Sequence, residues 1–123
     1  YITTKNIAAI APTNRLRLTD VKYATQSGPM LIIDGKMHSA FKKDSKNLQV
    51  RNGVGILPDG RVLFAMSKEP VNFYDFAKFF QNNSCVNALY LDGYVSRTYL
   101  PEDSWIQTDG NFAVLIGVSD KEF

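Results

Sequence analysis

This sequence predicts an α+β domain: a mixed, largely antiparallel sheet built from hairpins, with one amphipathic helix packed on it. Three observations carry that prediction. Two hairpin turns, Asp34-Gly35 and Pro58-Asp59-Gly60, each lie between apolar runs. A stripe of apolar residues at helical spacing covers residues 72–82. An apolar strand, ALYL, is closed by Asp92-Gly93. The 123 residues are 45% hydrophobic and 21% charged, the composition of one globular domain spanning 1–123. A chain of this length buries roughly two-thirds of its unfolded surface.

The elements follow in order. The opening YITTKNIAAIAP holds a short apolar run stopped by Pro12, fitting one strand or one turn of helix. Thr19-Asp20 stands where a side-chain oxygen would cap a short helix over VKYATQ, which Ser27-Gly28-Pro29 then breaks. MLIIDGKM reads as strand, tight Asp-Gly turn and returning strand. FKKDSKNLQ is polar and charged, an exposed loop. VGILPDGRVLFAM is a second hairpin. The fixed φ of Pro58 suits the first corner of its turn, and Gly60 tolerates positive φ. Asn72 caps a helix whose Phe73, Phe76, Ala77, Phe79 and Phe80 form one greasy face. ALYLDG is a buried strand and NFAVLIGVS a last apolar strand. The hairpins imply antiparallel pairing, and the helix between VLFAM and ALYL allows one parallel crossover.

Charge and special residues exclude several functions. Fourteen basic and twelve acidic residues give a net charge of +2, with no basic block or basic-aromatic ladder, so nucleic acid is not an expected partner. No apolar run approaches the roughly 18–20 residues that cross a bilayer. The chain opens at Tyr1 rather than methionine, which suggests a processed or truncated product. Cys85 is the single cysteine, so neither an internal disulfide nor a cysteine cluster can form, and it reads as a small buried apolar residue. No nucleophile elbow, phosphate loop, zinc-protease or dinucleotide fingerprint occurs. No metal and no cofactor are expected.

What remains is polar chemistry at strand ends. In open sheets with helical crossovers, ligands gather beyond the carboxyl ends of strands, and LYLDG delivers a carboxylate, Asp92, to such an edge. Gly93 lets the backbone turn sharply and a ligand come close. Ser96, Arg97 and Thr98 offer hydroxyls and a guanidinium suited to sugar or phosphate oxygens. An Asp-Gly pair after a strand is equally the composition of a plain turn. Arg51, before the strand VGIL, has the fork geometry that holds a phosphate, or is an ordinary arginine at a strand start. His38 cannot build a multi-histidine metal site; a surface or hydrogen-bonded structural role stands beside a contribution to the site.

Four separated stretches, in order, tie these residues together: ATQSGPMLIIDGK, RNGVGILPDGRVLFAMS, VNFYDFAKFF and NALYLDGYVSRTY. Over about residues 23 to 118 the chain resembles the phosphodiester glycosidase family, which includes the lysosomal uncovering enzyme and many exported bacterial proteins. The resemblance implies hydrolysis of a sugar-1-phosphodiester at the anomeric C–O bond, on a substrate such as an exopolysaccharide or envelope glycan. Asp92 would then be the catalytic carboxyl. Arg51 matches the arginine of the family's R--vG segment and would hold the phosphodiester. Asp92-Gly93 match its LDG, and Ser96 and Thr98 align with the hydroxyls of its GGGSST tail. Gly93, Ser96, Arg97, Thr98 and His38 would complete the substrate-binding set. Tyr94 and Val95 replace two glycines of that tail, and Arg97 replaces its second serine. An N-G-(G/T)-F-like segment usual in the family is not found in this chain. The expectation is therefore the C-terminal part of a larger glycosidase domain, active in the full-length protein rather than as this piece alone, and secreted or periplasmic. The alternative is a non-catalytic carbohydrate or sugar-phosphate binding module of the same fold.

Overall fold

Asp34 and Gly35 both have positive φ, 49° and 77°, the conformation that a two-residue hairpin turn requires. In the computed structural model, which describes residues 1–111 and 114–120, they join β3 (Met30–Ile33) to β4 (Lys36–Met37). The second expected hairpin is present as β5 (Asn52–Ile56) and β6 (Val62–Met66). Gly60 closes its turn at φ 85°, with its amide donating to the Leu57 carbonyl. Helix α1 (Phe73–Asn82) begins where Asn72 accepts a hydrogen bond from the Asp75 amide at 2.8 Å. Strand β7 (Asn87–Tyr90) follows.

These strands form a five-stranded sheet in the order β4-β3-β7-β5-β6, and each adjacent pair is antiparallel. Strands β6 and β7 both run opposite to β5, which lies between them. They are therefore parallel to each other, and α1 is the crossover that joins them. The fold is α+β, as the sequence predicts.

Helix and sheet meet at a core of Leu31, Ile32, Phe76, Ala77, Phe80, Cys85 and Ala88. On β5 the residues facing the helix are Gly53 and Gly55, so the phenyl rings of α1 rest on strand backbone. A Cβ at position 55 would lie 2.6 Å from Cys85 Sγ and 2.8 Å from Phe80 Cδ1. Cys85 is a buried free thiol, its pKa pushed up by desolvation.

Two expectations change. Residues 21–26 do not form a helix: Leu18–Asp20 is a single 3-10 turn, and Val21–Tyr23 is strand β2. It pairs antiparallel with β1 (Ile2–Thr3), in register Ile2↔Tyr23 and Thr3↔Val21. Six residues are too few to sustain an isolated helix, while Val21 and Tyr23 are strand formers with a partner at hand. Of NFAVLIGVS, residues 112 and 113 lie outside the described residues, and 114–119 form no strand. Val114, Leu115, Ile116 and Val118 are exposed. An apolar run becomes a strand only where a neighbour takes its backbone hydrogen bonds, and no ladder with this stretch occurs among the described residues. A small hairpin of β8 (Tyr99–Leu100) and β9 (Trp105–Ile106) was not foreseen.

Candidate functional site

The strand directions gather the polar candidates at one end of the sheet. There the Leu91 amide donates to the Asn52 carbonyl at 2.8 Å, and the Tyr90 amide to Pro29 at 3.1 Å. The Ser67 amide donates to the Arg51 carbonyl, and the Arg51 amide returns a bond to Ser67 Oγ at 2.9 Å. The His38 amide donates to Leu31 at 3.1 Å. Across this rim the order is His38, Pro29, Leu91–Gly93, Arg51–Asn52, Ser67. Residues 51 and 92, distant in sequence, are thus brought to neighbouring ends of adjacent strands.

Asp92 turns the chain out of the sheet. It is exposed, and its backbone is left-handed at φ 56°, a conformation aspartate tolerates better than most residues. Its carboxylate has no hydrogen bond or ion pair among the described residues. Gly93, by contrast, does not occupy the left-handed region. It is buried, and glycine is required there for space: a Cβ would lie 2.5 Å from the Arg51 carbonyl carbon and 2.5 Å from the Asn52 nitrogen. Ser96 folds back over this turn. Its hydroxyl donates to the Asp92 carbonyl at 2.9 Å and accepts from Asn52 Nδ2 at 3.1 Å. The Tyr90 phenol oxygen accepts the Gly93 amide at 3.0 Å.

Arg51 is 2% exposed. Its Nε donates to the Val71 carbonyl at 2.8 Å and Nη2 to the Asn47 carbonyl at 2.9 Å. The guanidinium carbon lies over Phe73, 3.7 Å from the ring centroid, and 5.7 Å from that of Tyr90. Burial pushes its pKa down, offset in part by charge and hydrogen-bond interactions with Tyr90. Strand alternation puts the Arg51 side chain on the helix face and that of Asn52 on the other, so Asn52 is the β5 residue beside Ser96.

The remaining candidates are spread along and beyond the rim. Arg97 is tied to Asp109 by two bonds, Nε–Oδ1 at 3.0 Å and Nη2–Oδ2 at 3.1 Å, and its Nη1 donates to the Ser96 carbonyl. The pair raises the Arg97 pKa and lowers that of Asp109. Thr98 anchors the β8–β9 hairpin, with its amide donating to Gln107 Oε1 at 2.9 Å and its hydroxyl against Met66 Sδ. His38 Nδ1 accepts from the Ala40 amide, and its ring lies 5.2 Å from that of Phe41. It lines a hollow of about 470 Å³ with Asp34, Lys36 and Ser39. A second hollow, about 330 Å³, lies between residues 40–45 and Phe73-Tyr74. Asp92 lines neither. Among the described residues no group of three or more His, Cys, Asp or Glu side chains could hold a metal.

Sequence reasoning missed Asn52 and Tyr90. Asn52 stands next to Arg51 in a stretch already singled out. Tyr90 carried the one available signal, a hydroxyl at the last position of β7.

Residues 1–117 match the family described as phosphodiester glycosidase. The uncharacterized protein YigE of Escherichia coli (strain K12) is 38% identical over 82 residues, covering 66% of this chain and 32% of its own length. The chain thus spans about a third of that curated relative. A crystal structure of a hypothetical protein from Synechocystis superposes with a TM-score of 0.47 at 26% identity, over 56% of this chain and 15% of that one.

Proposed function

From a chain that belongs to the phosphodiester glycosidase family, we infer a hydrolase domain that cleaves a sugar-1-phosphodiester at the anomeric C–O bond. Water adds at the sugar C1, and the phosphate leaves as a phosphomonoester on the other partner. Asp92 is the carboxyl in this reading, acting as acid/base or stabilising charge at the anomeric centre. The observation that carries it is the exposed Asp92 carboxylate, presented by a strained turn and engaged by no other group among the described residues.

The neighbouring groups suit the same substrate. Ser96 and Asn52 form a hydrogen-bonded pair beside the turn. Arg97 keeps one N–H on each terminal nitrogen beyond its bonds to Asp109 and Ser96, enough to meet a phosphate oxygen. His38 and Thr98 stand further along the rim and at the base of the hairpin. A phosphate is a good leaving group, so fixed positive charge matters more in this reaction than full protonation. The substrate we infer is an exopolysaccharide or envelope glycan met in a secreted or periplasmic setting, with this chain as part of a larger glycosidase domain. Among the described residues no helix is long and apolar enough to cross a membrane.

The test is turnover of a panel of sugar-1-phosphodiesters, UDP-GlcNAc included, by the full natural protein and its Asp92→Asn variant. A fall in kcat/KM of about 10²–10⁴-fold is expected. No turnover by the natural protein, or full activity in the variant, removes this reading. Saturable binding without turnover supports a sugar-phosphate binding module instead. That second reading is favoured by the bulky Tyr94, 76% exposed beside the turn where the family motif has glycine.

A further inference from the structure

The Asp92 turn is held from behind. Tyr90 ends β7 on the helix face of the sheet, opposite Gly53. Its phenol oxygen reaches past residues 91 and 92 to accept the buried Gly93 amide at 3.0 Å. One hydroxyl therefore fixes the far side of the turn whose near side is the β7–β5 ladder, through the Leu91 amide on the Asn52 carbonyl. The Tyr90 ring has its own backing. It meets Phe73 edge-on at 5.0 Å and 78°, and Phe73 stacks on Phe41 at 5.1 Å and 10°. The Arg51 guanidinium closes this aromatic group, lying over Phe73, and is tied to the Val71 and Asn47 carbonyls. To meet a phosphate on the Asn52 face, Arg51 would have to give up both carbonyl bonds and its place on Phe73.

We propose that Tyr90 is a positioning residue that sets the Asp92 carboxylate through the Gly93 amide, with Arg51 as its rigid backing rather than as a ligand of the substrate anion. This rests on the glycosidase reading for the identity of the reaction. The structural part of it, the hold on Gly93, is measurable without substrate. Removing the phenol oxygen leaves a buried N–H without its acceptor, and the turn gains freedom. The ring and its packing stay in place.

The experiment uses the full natural protein and two variants, Tyr90→Phe and Arg51→Lys. Amide hydrogen exchange at Gly93 is followed by NMR, and steady-state kinetics use the sugar-1-phosphodiester turned over best by the natural protein. Tyr90→Phe should speed Gly93 exchange at least tenfold and lower kcat at least tenfold, with KM within twofold. Arg51→Lys should likewise lower kcat more than it raises KM. A rise in KM at unchanged kcat would make Arg51 an anion ligand and overturn its backing role. Unchanged Gly93 exchange in Tyr90→Phe overturns the hold itself, and faster exchange at full kcat overturns its link to the reaction. Should Arg51→Lys fail to fold, Tyr90→Phe decides the hold on Gly93, and Phe73→Leu, which removes the ring beneath the guanidinium, decides the backing role by the same split of kcat against KM. Absence of any turnover by the natural protein is a different failure, that of the glycosidase reading and of any part for Tyr90 in catalysis; the exchange result still decides whether the phenol holds the turn.

Discussion

Gly93→Ala tests whether the candidate turn is closed against the sheet. The added methyl would lie 2.5 Å from the Arg51 carbonyl carbon and 2.5 Å from the Asn52 nitrogen. Carbon atoms pack at about 3.5–4.0 Å, so about 1 Å of movement is needed. The obstructing atoms are backbone, in a strand paired on both sides, and they cannot rotate away as a side-chain tip would. Overpacking typically costs about 1–3 kcal/mol, and a fixed obstacle puts this case near the top, about 3 kcal/mol. For the larger domain of which this chain is proposed to be part, about 2–4 °C of Tm per kcal/mol gives a fall of about 6–12 °C. The assay is urea and thermal unfolding of the full natural protein, with Gly117→Ala as control. At position 117 the new methyl meets only Leu115 Cδ2 at 3.7 Å, an ordinary contact. That control should stay within about 0.5 kcal/mol. A Gly93→Ala protein as stable as the control would mean that residues 91–96 do not lie on β5, and the site built on that contact would be wrong.

Two further outcomes follow from single interactions. Asn72→Ala removes the cap on the Asp75 amide and the bonds from Nδ2 to the Lys43 and Ser45 carbonyls, and should cost about 2 kcal/mol in urea unfolding; a loss below about 0.5 kcal/mol would refute the role of this buried cap. Asp109, held below its ordinary value of 3.8 by the Arg97 hydrogen bond and charge, keeps its tie at all pH above that value and loses it only as pH falls through the lowered one. Carboxyl NMR titration should show that low midpoint and its return to the ordinary range in Arg97→Met, and a midpoint at or above 3.8 in the natural chain would contradict the pairing.

The parts of this fold that the sequence announced are those fixed by neighbours in the chain. Asp34-Gly35 and Pro58-Asp59-Gly60 carry their turn geometry in their own residues, and the α1 stripe carries its period. Strand β2 was illegible because its identity depends on β1, some twenty residues earlier, and not on Thr19-Asp20. Residues 114–119 failed in the opposite sense, having strand composition with no ladder partner among the described residues. At the candidate site, Asp92 was found because a carboxylate after an apolar strand is visible locally. The sharp turn expected at Gly93 falls on Asp92, which takes the left-handed φ, while the close approach that Gly93 permits is to a strand forty residues earlier. The burial of Arg51 and the bond from the Gly93 amide to the Tyr90 phenol oxygen were equally hidden. Arg51 is enclosed by the Val71 and Asn47 carbonyls and the Phe73 ring, groups that only the folded chain brings beside it, and the Gly93 bond depends on which way the Tyr90 ring turns on leaving the sheet.

The two glycines of β5 beneath α1 leave this strand with nothing to trim. Where most strands meet a helix through side chains that can be enlarged or shortened, this strand offers its bare main chain. Any change in the fit between β5 and the layer above it has to be made on the helix or at Cys85. Engineering that aims to shift α1 relative to the candidate rim should therefore begin from Phe76 and Phe80, because the strand beneath them can only grow.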